Sequence, residues 1–194
     1  KFRGESSVVE IGDNTIIREC VTINRGTQHS NKTVIGNNCL LMAYVHIAHD
    51  CYIGNNVVLA NCVNLAGHIE IDDYAIIGGM SAIHQFVKIG AHAFLSGGAL
   101  VGKDIPPYVK AGRFPLSYVG VNSVGLRRRG FTTSQINQIL DVYRILYIRG
   151  YNTSTAIKMI ESEVADSPEK DEIVTFVRES VRGVMKGFKS TSEE

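Results

Sequence analysis

The 194-residue chain has no tryptophan, only four prolines and four cysteines, and no apolar run long enough to cross a bilayer. Its 20 basic and 19 acidic residues nearly cancel, so the charge predicts no bulk binding to nucleic acid or to a membrane surface. The cysteines form no CxxC pair and have no zinc spacing, which predicts reduced thiols, no bound metal and a cytoplasmic location. The chain begins with Lys1 rather than methionine, so we expect its natural start to lie upstream.

The dominant pattern is a period of six residues. From Ile35 to Val101 every sixth residue is isoleucine, leucine or valine, in twelve positions without a miss. A second, mostly smaller residue follows four positions after each of these, as a narrow interior with little room at its corners requires. A period of six does not fit a 3.6-residue helix, but it fits short strands joined by tight turns. The pattern predicts a parallel β-helix.

The period marks where this domain begins and ends. It holds upstream at Ile11, Ile17 and Ile23 and lapses in the polar stretch from Gln28 to Lys32, which we interpret as a loop projecting from one coil. It stops near residues 105–107, where helical patterns follow after a short connection. We therefore predict a β-helix domain over residues 1–112 and a helical domain over residues 113–194.

Three helices are predicted in the second domain. The first opens with a capping box at Thr132–Gln135 and ends before Gly150. A second, shorter pattern follows. The third opens with Ser167 as N-cap and Pro168 at the first helical position, and its apolar stripe extends to Val184.

Three units of six residues make one triangular coil, so residues eighteen apart stack at about the interstrand distance of 4.8 Å. This stacking places Gly67 and Gln85 above His49, and His68 and Phe86 above Asp50. His46 and His84 fall beside the same corner. Seven candidate residues therefore gather there: His46, His49, Asp50, Gly67, His68, His84 and Gln85.

This grouping suits acyl transfer to a hydroxyl group. A histidine held by a carboxylate can remove a proton, and a backbone N–H at a glycine can stabilise an oxyanion. His49 is the candidate base and Gly67 the candidate donor, whereas Asp50 has a weaker claim because adjacent outward side chains need not touch. A lone exposed turn histidine would usually have no such role, but the clustering favours one.

Six motifs in the chain resemble those of a known family. They are His46-Ile-Ala-His49-Asp50-Cys51, Leu65-Ala-Gly67-His68, Ile76-Ile-Gly-Gly79-Met80, His84-Gln85-Phe86, Asp104-Ile-Pro-Pro-Tyr108 and Gly120-Val-Asn122 leading into Gly125-Leu-Arg-Arg128-Arg129-Gly130-Phe131. Together they resemble the UDP-N-acetylglucosamine O-acyltransferases, which catalyse the first step of lipid A biosynthesis. The resemblance covers essentially the whole chain. It implies a left-handed parallel β-helix, an exception to the usual crossover rule, and a homotrimer with active sites between subunits and no cofactor.

The resemblance also implies roles for individual residues. The histidine matching His49 deprotonates the glucosamine 3-hydroxyl, which attacks a 3-hydroxyacyl thioester on acyl carrier protein. Asp50 supports that histidine, and the N–H of Gly67 matches the oxyanion donor. The remaining candidates bind substrate: Lys1, His46, Asn61, His68, Gly79, His84, Gln85, Gly97, Asn122, Arg128 and Arg129. Among these, Gly97 matches a position that helps to set acyl length.

Each of these assignments has a structural alternative. Asn122 could cap a short helix, Arg127 to Arg129 could be a solvated basic face, and Gly79 and Gly97 could serve only the turns. The chain also departs from the family. Pro115 stands where better-known members have a histidine at the end of the acyl groove, Val124 stands where some have a glutamate, and family members carry more coils upstream.

Three other functions compete with this interpretation. A sister N-acyltransferase shares the β-helix and a catalytic histidine, but its family lacks the helical tail. A zinc carbonic anhydrase on the same solenoid needs three convergent histidines, usually with two of them four residues apart, which His46 and His49 are not. A purely structural solenoid would need no histidine cluster.

Overall fold

The computed structural model describes residue 4 and residues 6–187, so Lys1 lies outside the described residues. The chain winds through three sheets in turn, which form the faces of a triangular prism. Sheet A contains β1 (Val8–Ile11), β4 (Lys32–Ile35), β7 (Tyr52–Ile53), β10 (Glu70–Ile71) and β13 (Lys88–Ile89). Sheet B contains β2 (Ile16–Ile17), β5 (Leu40–Leu41), β8 (Val58–Leu59), β11 (Ile76–Ile77), β14 (Phe94–Leu95) and β16 (Val109–Gly112). Sheet C contains β3 (Thr22–Ile23), β6 (His46–Ile47), β9 (Asn64–Leu65), β12 (Ala82–Ile83) and β15 (Leu100–Val101).

The strand register confirms the predicted stacking. His46 pairs in parallel with Asn64, and Asn64 pairs with Ala82, so one coil contains eighteen residues. The first coil is longer, because Val8 pairs with Lys32, 24 residues away. The extra residues lie in the connection between β3 and β4, beside the corner between sheets C and A, and include the predicted loop except for Lys32, which begins β4.

The interior of the prism is apolar, as the six-residue period predicts. All twelve large anchors from Ile35 to Val101 are at most 3% exposed. The smaller inward positions are also buried, including Ser81, whose hydroxyl donates to the carbonyl oxygen of Gly78 at 2.7 Å. Ile11 and Ile17 keep the inward register but are exposed, because no described residue covers that end of the prism.

The turns between sheets form three corners, which we call A–B, B–C and C–A. At the C–A corner, Asp50, His68 and Phe86 all adopt left-handed backbone angles, with φ of 60°, 61° and 63°. The repeated conformation points successive side chains of one column the same way. The rings of His68 and Phe86 are accordingly stacked, with centroids 4.4 Å apart. Each corner thus presents a ladder of side chains along the prism.

The chain leaves the prism through β17 (Ser117–Val121), which pairs antiparallel with β16, and β18 (Lys186–Gly187) returns beside β17. The helices are α1 (Ser123–Arg128), α2 (Thr133–Tyr147), α3 (Thr153–Glu163) and α4 (Pro168–Glu179). The boundary predicted after residue 112 falls in the turn between β16 and β17 and stays a prediction.

The three predicted helices are confirmed as α2, α3 and α4, with the Thr132 capping box and the Ser167 N-cap in place. Two details were wrong. The short α1 makes four helices among the described residues instead of three. Helix α4 also ends at Glu179 rather than continuing to Val184, and Val181 is 96% exposed. The apolar spacing beyond Glu179 is not helical, because Val184 lies in a β-bridge with Asp104.

A partly buried histidine joins the helical region to the A–B corner. The His92 ring is stacked between Tyr74 and Tyr108, at centroid distances of 4.9 and 5.5 Å, and its edge faces Phe131. Burial lowers the pKa of His92 to about 4, and the positive charge of Arg129 adds to this shift, whereas Asp73 opposes it. His92 is therefore neutral in the folded protein near neutral pH.

This burial predicts a loss of stability in mild acid. The unfolded chain protonates His92 near its ordinary pKa of about 6.5, whereas the folded chain resists until about pH 4, so the unfolded state binds more protons between these values. We expect the free energy of unfolding to fall by about 1 kcal/mol from pH 7 to pH 5 through this group, because solvent screening at the partly exposed ring reduces the effect of the full shift. Urea unfolding at both pH values measures the change. The His92→Phe variant should lose this part of the pH dependence, and an unchanged dependence would contradict the assignment.

Candidate functional site

The side chains of His49 and Asp50 are in direct contact at the C–A corner. His49 Nδ1 lies 2.8 Å from Asp50 Oδ2, although adjacent residues in a turn need not meet. A carboxylate can only accept, so the proton of the neutral imidazole is on Nδ1 and the Nε2 atom keeps its lone pair. The side chain of Asp50 is fully buried, whereas that of His49 is 43% exposed. The arrangement leaves a hydrogen-bond acceptor open to solvent, as a general base requires.

The inserted loop holds the Asp50 carboxylate. Thr27 donates its backbone N–H to Oδ1 at 2.9 Å and its hydroxyl to Oδ2 at 2.6 Å. Ser30 donates its hydroxyl to Oδ1 at 2.5 Å and its backbone N–H at 3.3 Å. Burial raises the pKa of Asp50, but the hydrogen bonds from Ser30, Thr27 and His49 outweigh it and hold the pKa well below its ordinary value. Asp50 therefore stays ionised and keeps the His49 tautomer fixed.

Gly67 lies directly against the His49 ring. A Cβ atom added at Gly67 would lie 2.7 Å from Cε1 and 3.0 Å from Nε2 of His49, so a larger residue would have to displace the His49 ring. The glycine is required here for close approach, since its φ is not in the left-handed region. Within the described part of the chain, the Gly67 N–H donates to no backbone acceptor. A free N–H therefore lies beside the candidate base.

His68 completes this corner. Its ring faces His49 edge-on, with centroids 5.0 Å apart, and it faces His29 of the inserted loop in the same way at 4.6 Å. His68 Nδ1 is 3.9 Å from Asp50 Oδ2, and it is buried without a hydrogen-bond partner. Burial lowers the pKa of His68, although the charge of Asp50 opposes this. The corner therefore holds three imidazoles around one carboxylate.

The structure separates the other predicted residues into two places. His46 contacts Thr22 on sheet C, with Nδ1 and Oγ1 2.7 Å apart, and His84 Nδ1 lies 3.1 Å from the Gln85 carbonyl oxygen. Neither His46 nor His84 makes a hydrogen bond to His49 or Asp50 in the described structure. Asn61, Gly79 and Gly97 form one column at the B–C corner, on the other side of sheet C. One chain does not bring them to His49.

The candidates in the helical region differ in exposure. Asn122 is buried, accepts from the Gly125 N–H as the α1 N-cap, and donates from Nδ2 to the His92 carbonyl oxygen at 2.9 Å. Arg129 donates to the Tyr74 carbonyl oxygen at 3.1 Å, and its guanidinium lies 5.3 Å from the centre of the Tyr74 ring. Both side chains thus pack the helical region onto the prism. Arg128 is exposed in the last turn of α1.

Pro115 lies at a cavity near the end of the prism. The cavity has a volume of about 610 Å³ and is mainly apolar. Its lining includes Leu100, Phe114, Pro115, Leu116 and Met185. Since Leu100 follows the turn that contains Gly97, this cavity adjoins the B–C corner.

Sequence reasoning missed the contribution of the inserted loop. Thr27 and Ser30 lie 23 and 20 residues before Asp50, which is outside the eighteen-residue register because the loop itself shifts the spacing. The sequence did contain a signal for this loop, because a polar insertion interrupts the six-residue period in the coil before His49. Insertions placed beside a polar corner are candidate site elements in a repeat protein.

The contact from Thr27 predicts a specific defect. We expect Thr27→Val to lower kcat about 10-fold, because a hydrogen bond to a charged group is lost and the His49–Asp50 pair becomes less well held. Thr15→Val is the matched control. The Thr15 hydroxyl also makes hydrogen bonds between coils, because it donates to the Gly36 carbonyl oxygen and accepts from the Cys39 N–H. Thr15 lies at the A–B corner, far from the His49–Asp50 pair. Equal losses in the two variants would show a general effect on the solenoid instead.

Comparisons with known proteins agree with this description. Residues 104–185 match a family model described as UDP N-acetylglucosamine O-acyltransferase, domain 2, and residues 32–67 match the bacterial transferase hexapeptide (six repeats). Acyl-[acyl-carrier-protein]--UDP-N-acetylglucosamine O-acyltransferases from Chlorobaculum parvum and Aquifex aeolicus are 58% and 55% identical. The matches cover 94% and 97% of this chain, and 70% and 73% of those proteins.

Solved structures give the same result. A UDP-N-acetylglucosamine acyltransferase from Bacteroides fragilis is 51% identical with a TM-score of 0.94, over 95% of this chain and 72% of that one. The enzyme from Francisella novicida is 42% identical with a TM-score of 0.94, over 100% of this chain and 71% of that one. The predicted left-handed parallel β-helix with a helical region after it is confirmed. Among the described residues, no helix has the length and apolar character needed to span a membrane. Sequence, fold and corner geometry agree, and the chain belongs to the UDP-N-acetylglucosamine O-acyltransferase family.

Proposed function

We propose that the protein transfers an acyl chain from acyl carrier protein to a hydroxyl of UDP-N-acetylglucosamine, with His49 as the general base. The hydrogen bond between His49 Nδ1 and the buried, ionised Asp50 supports this role most strongly, because it leaves Nε2 free to take a proton. The family resemblance further assigns the acceptor as the glucosamine 3-hydroxyl and the donor as a 3-hydroxyacyl thioester. The reaction is then the first step of lipid A biosynthesis.

The reaction proceeds in two stages at this corner. His49 Nε2 takes the hydroxyl proton as the oxygen attacks the thioester carbonyl carbon, and the carbonyl oxygen becomes an oxyanion. The Gly67 N–H donates to that oxyanion. Collapse of the intermediate breaks the C–S bond, and the His49 imidazolium returns its proton to the departing thiolate. Asp50 stabilises the imidazolium throughout without taking its proton.

The remaining site residues support a site between subunits of a homotrimer. Asn61, Gly79 and Gly97 lie at the B–C corner, so a neighbouring chain would have to bring such a corner toward His49. Large apolar side chains are exposed along sheet C and its corners, including Tyr44, Met80 and Leu100. Their burial would favour association. Sedimentation equilibrium at several concentrations should give three times the chain mass, and a monomer would contradict the trimer.

Further residues of the site bind the sugar nucleotide, and the protein acts in the cytoplasm. We assign His46, His68, His84 and Gln85 to the sugar-nucleotide and acyl pocket, with Asn122 shaping the nucleotide end from its buried position. The carrier protein and the nucleotide sugar are substrates, and no cofactor takes part. The four cysteines are free, in keeping with a reducing compartment such as the cytoplasm.

The exposed arginines of α1 give a prediction about the carrier protein. Arg127 and Arg128 face solvent, whereas Arg129 is packed on Tyr74, so the first two are better placed to attract an acidic partner. We expect Arg127→Gln with Arg128→Gln to raise KM for the carrier-bound donor about 3- to 10-fold at low salt, and less in 0.5 M salt because exposed charges are screened. KM for the nucleotide sugar is the internal control. An equal effect at both salt concentrations would exclude an electrostatic role.

Product detection tests the proposed function. The protein is supplied with UDP-N-acetylglucosamine and a series of 3-hydroxyacyl carrier-protein thioesters, and mass spectrometry records which acylated nucleotide sugar appears. Tandem spectra then distinguish an ester at the 3-hydroxyl from other positions. The sister N-acyltransferase would instead require a 3-O-acylated glucosamine acceptor bearing a free amine. Activity only on that amine, or none across the series from a folded protein, would reject the O-acyltransferase.

A further inference from the structure

Three potential metal ligands lie together at the C–A corner, although their spacing in the sequence matches no standard metal-binding motif. One ring nitrogen of His49, a carboxylate oxygen of Asp50 and one ring nitrogen of His68 all lie within 4.8 Å of one another. Two imidazole nitrogens and one carboxylate oxygen are the donor set that zinc and its neighbours in the periodic table accept. Among the described residues this is the one group of histidine, cysteine and carboxylate side chains with such proximity.

The distances suit a tetrahedral ion after small shifts. Ligand atoms about 2.0–2.1 Å from a tetrahedral zinc ion are about 3.3 Å from one another. Here Asp50 Oδ2 is 2.8 Å from His49 Nδ1 and 3.9 Å from His68 Nδ1, and the ligand atoms of the two histidines lie within 4.8 Å of each other, so the group must adjust around an ion. The ring of His49 is half exposed and can adjust, while Thr27 and Ser30 hold the carboxylate in place.

His68 provides the second, independent observation. Its Nδ1 is buried and has no hydrogen-bond partner, while the nearest charged atom is the Asp50 carboxylate. A buried ring nitrogen without a partner is unusual in a native protein and calls for an explanation. Stacking on Phe86 and edge contacts with His29 and His49 fix the direction in which this nitrogen points.

An ion can reach this group from solvent. A depression of about 350 Å³ opens beside it, with Asp50, His68, Glu70 and Asp72 in its wall. Lys88 pairs with Glu70 at 2.9 Å, which leaves Asp50 and Asp72 as the acidic groups without a lysine or arginine salt bridge on this wall. The acidic wall favours a cation over an anion.

We propose that His49, Asp50 and His68 bind one divalent transition-metal ion such as Zn²⁺, and that the bound ion blocks acyl transfer. Coordination takes the Nδ1 lone pair of His49, so the ring proton moves to Nε2 and the imidazole can no longer accept the proton of the acceptor hydroxyl. The blocking effect depends on the proposed function, whereas binding of the ion does not.

Cobalt titration without substrates tests the binding. Co²⁺ is added to the metal-free protein, and its visible absorption reports tetrahedral coordination. We expect one Co²⁺ per chain, displaced by Zn²⁺. The His68→Phe variant should bind at least about 100-fold more weakly, since even an outer partner of a ligand is worth 10- to 100-fold. His46→Gln is the matched control, because it removes a nearby histidine that lies outside the group, and it should bind normally.

The experiments distinguish a failure of the metal site from a failure of the proposed function. No tetrahedral Co²⁺ spectrum, or a spectrum that persists in His68→Phe, would overturn the metal site, even in a fully active enzyme. His49→Gln is the second variant if His68→Phe is misfolded by circular dichroism, and it should also lose the spectrum. In the acyl-transfer assay Zn²⁺ should inhibit the unaltered protein, and EDTA should restore its activity. Cobalt binding in a protein that transfers no acyl group would instead count against the proposed function alone.

Discussion

The His49→Gln variant is expected to lose about 10³-fold or more in kcat, since general bases contribute about 10²- to 10⁴-fold to catalysis. Glutamine preserves much of the size and polarity of the side chain but cannot take a proton. Two functions vanish together, because the same group removes the hydroxyl proton and later protonates the leaving thiolate. The hydrogen bonds of Asp50 to Thr27 and Ser30 do not involve His49 and should survive.

Several measurements separate this loss from a folding defect. The side chain of His49 is 43% exposed, so the substitution should leave the melting temperature almost unchanged. Binding of the nucleotide sugar, measured by calorimetry, should also stay within a few-fold. A variant that folds and binds normally but retains more than a tenth of the activity would show that another group is the base.

Gly67→Ala is expected to lower kcat about 10²-fold, the loss that a displacement of about 1 Å can cause in an active site. The new methyl group would lie 2.7 Å from Cε1 of His49, so the ring must move. The ring is attached to a half-exposed side chain and can swing outward, which breaks its alignment with Asp50 but leaves the β-helix intact. The alanine also crowds the space in front of the backbone N–H that stabilises the oxyanion.

Structure and kinetics can be compared directly for this variant. The methyl group should move the imidazole and lengthen the distance from His49 Nδ1 to Asp50 Oδ2, which is 2.8 Å in the unaltered protein. A crystal structure of the variant would show this shift. The thermal unfolding of the two proteins should be similar. Full activity with a displaced ring, or low activity with an undisplaced ring and a free N–H, would contradict the steric explanation.

The six-residue period was sufficient to predict the β-helix, because each six-residue unit places an apolar anchor at the same inward position. The anchors from Ile35 to Val101 each occupy the same inward position, and the eighteen-residue register followed from three faces per coil. That register by itself predicts Gly67 beside His49. Columns of residues are therefore predictable wherever the coil length is constant.

The rest of the site depends on contacts that the period does not describe. The contact between His49 and Asp50 arises from the left-handed backbone at Asp50, with φ of 60°, which periodicity alone does not specify. Thr27 and Ser30 come from the inserted loop, where the register is interrupted. Arg129 was assigned to substrate from the family motif, yet it lies over Tyr74, because the docking of α1 on the prism is a tertiary event.

A double-mutant cycle between Thr27 and His49 tests the central claim, that this corner acts through the His49 base. The measurement is the single-turnover rate of acyl transfer in the unaltered protein, Thr27→Val, His49→Gln and the double variant. Because Thr27 reaches the reaction only through Asp50 and His49, its loss should cost about 10-fold alone and less than about 2-fold when His49 is already replaced. A further 10-fold loss in the double variant would contradict the account, since Thr27 would then act independently of the base.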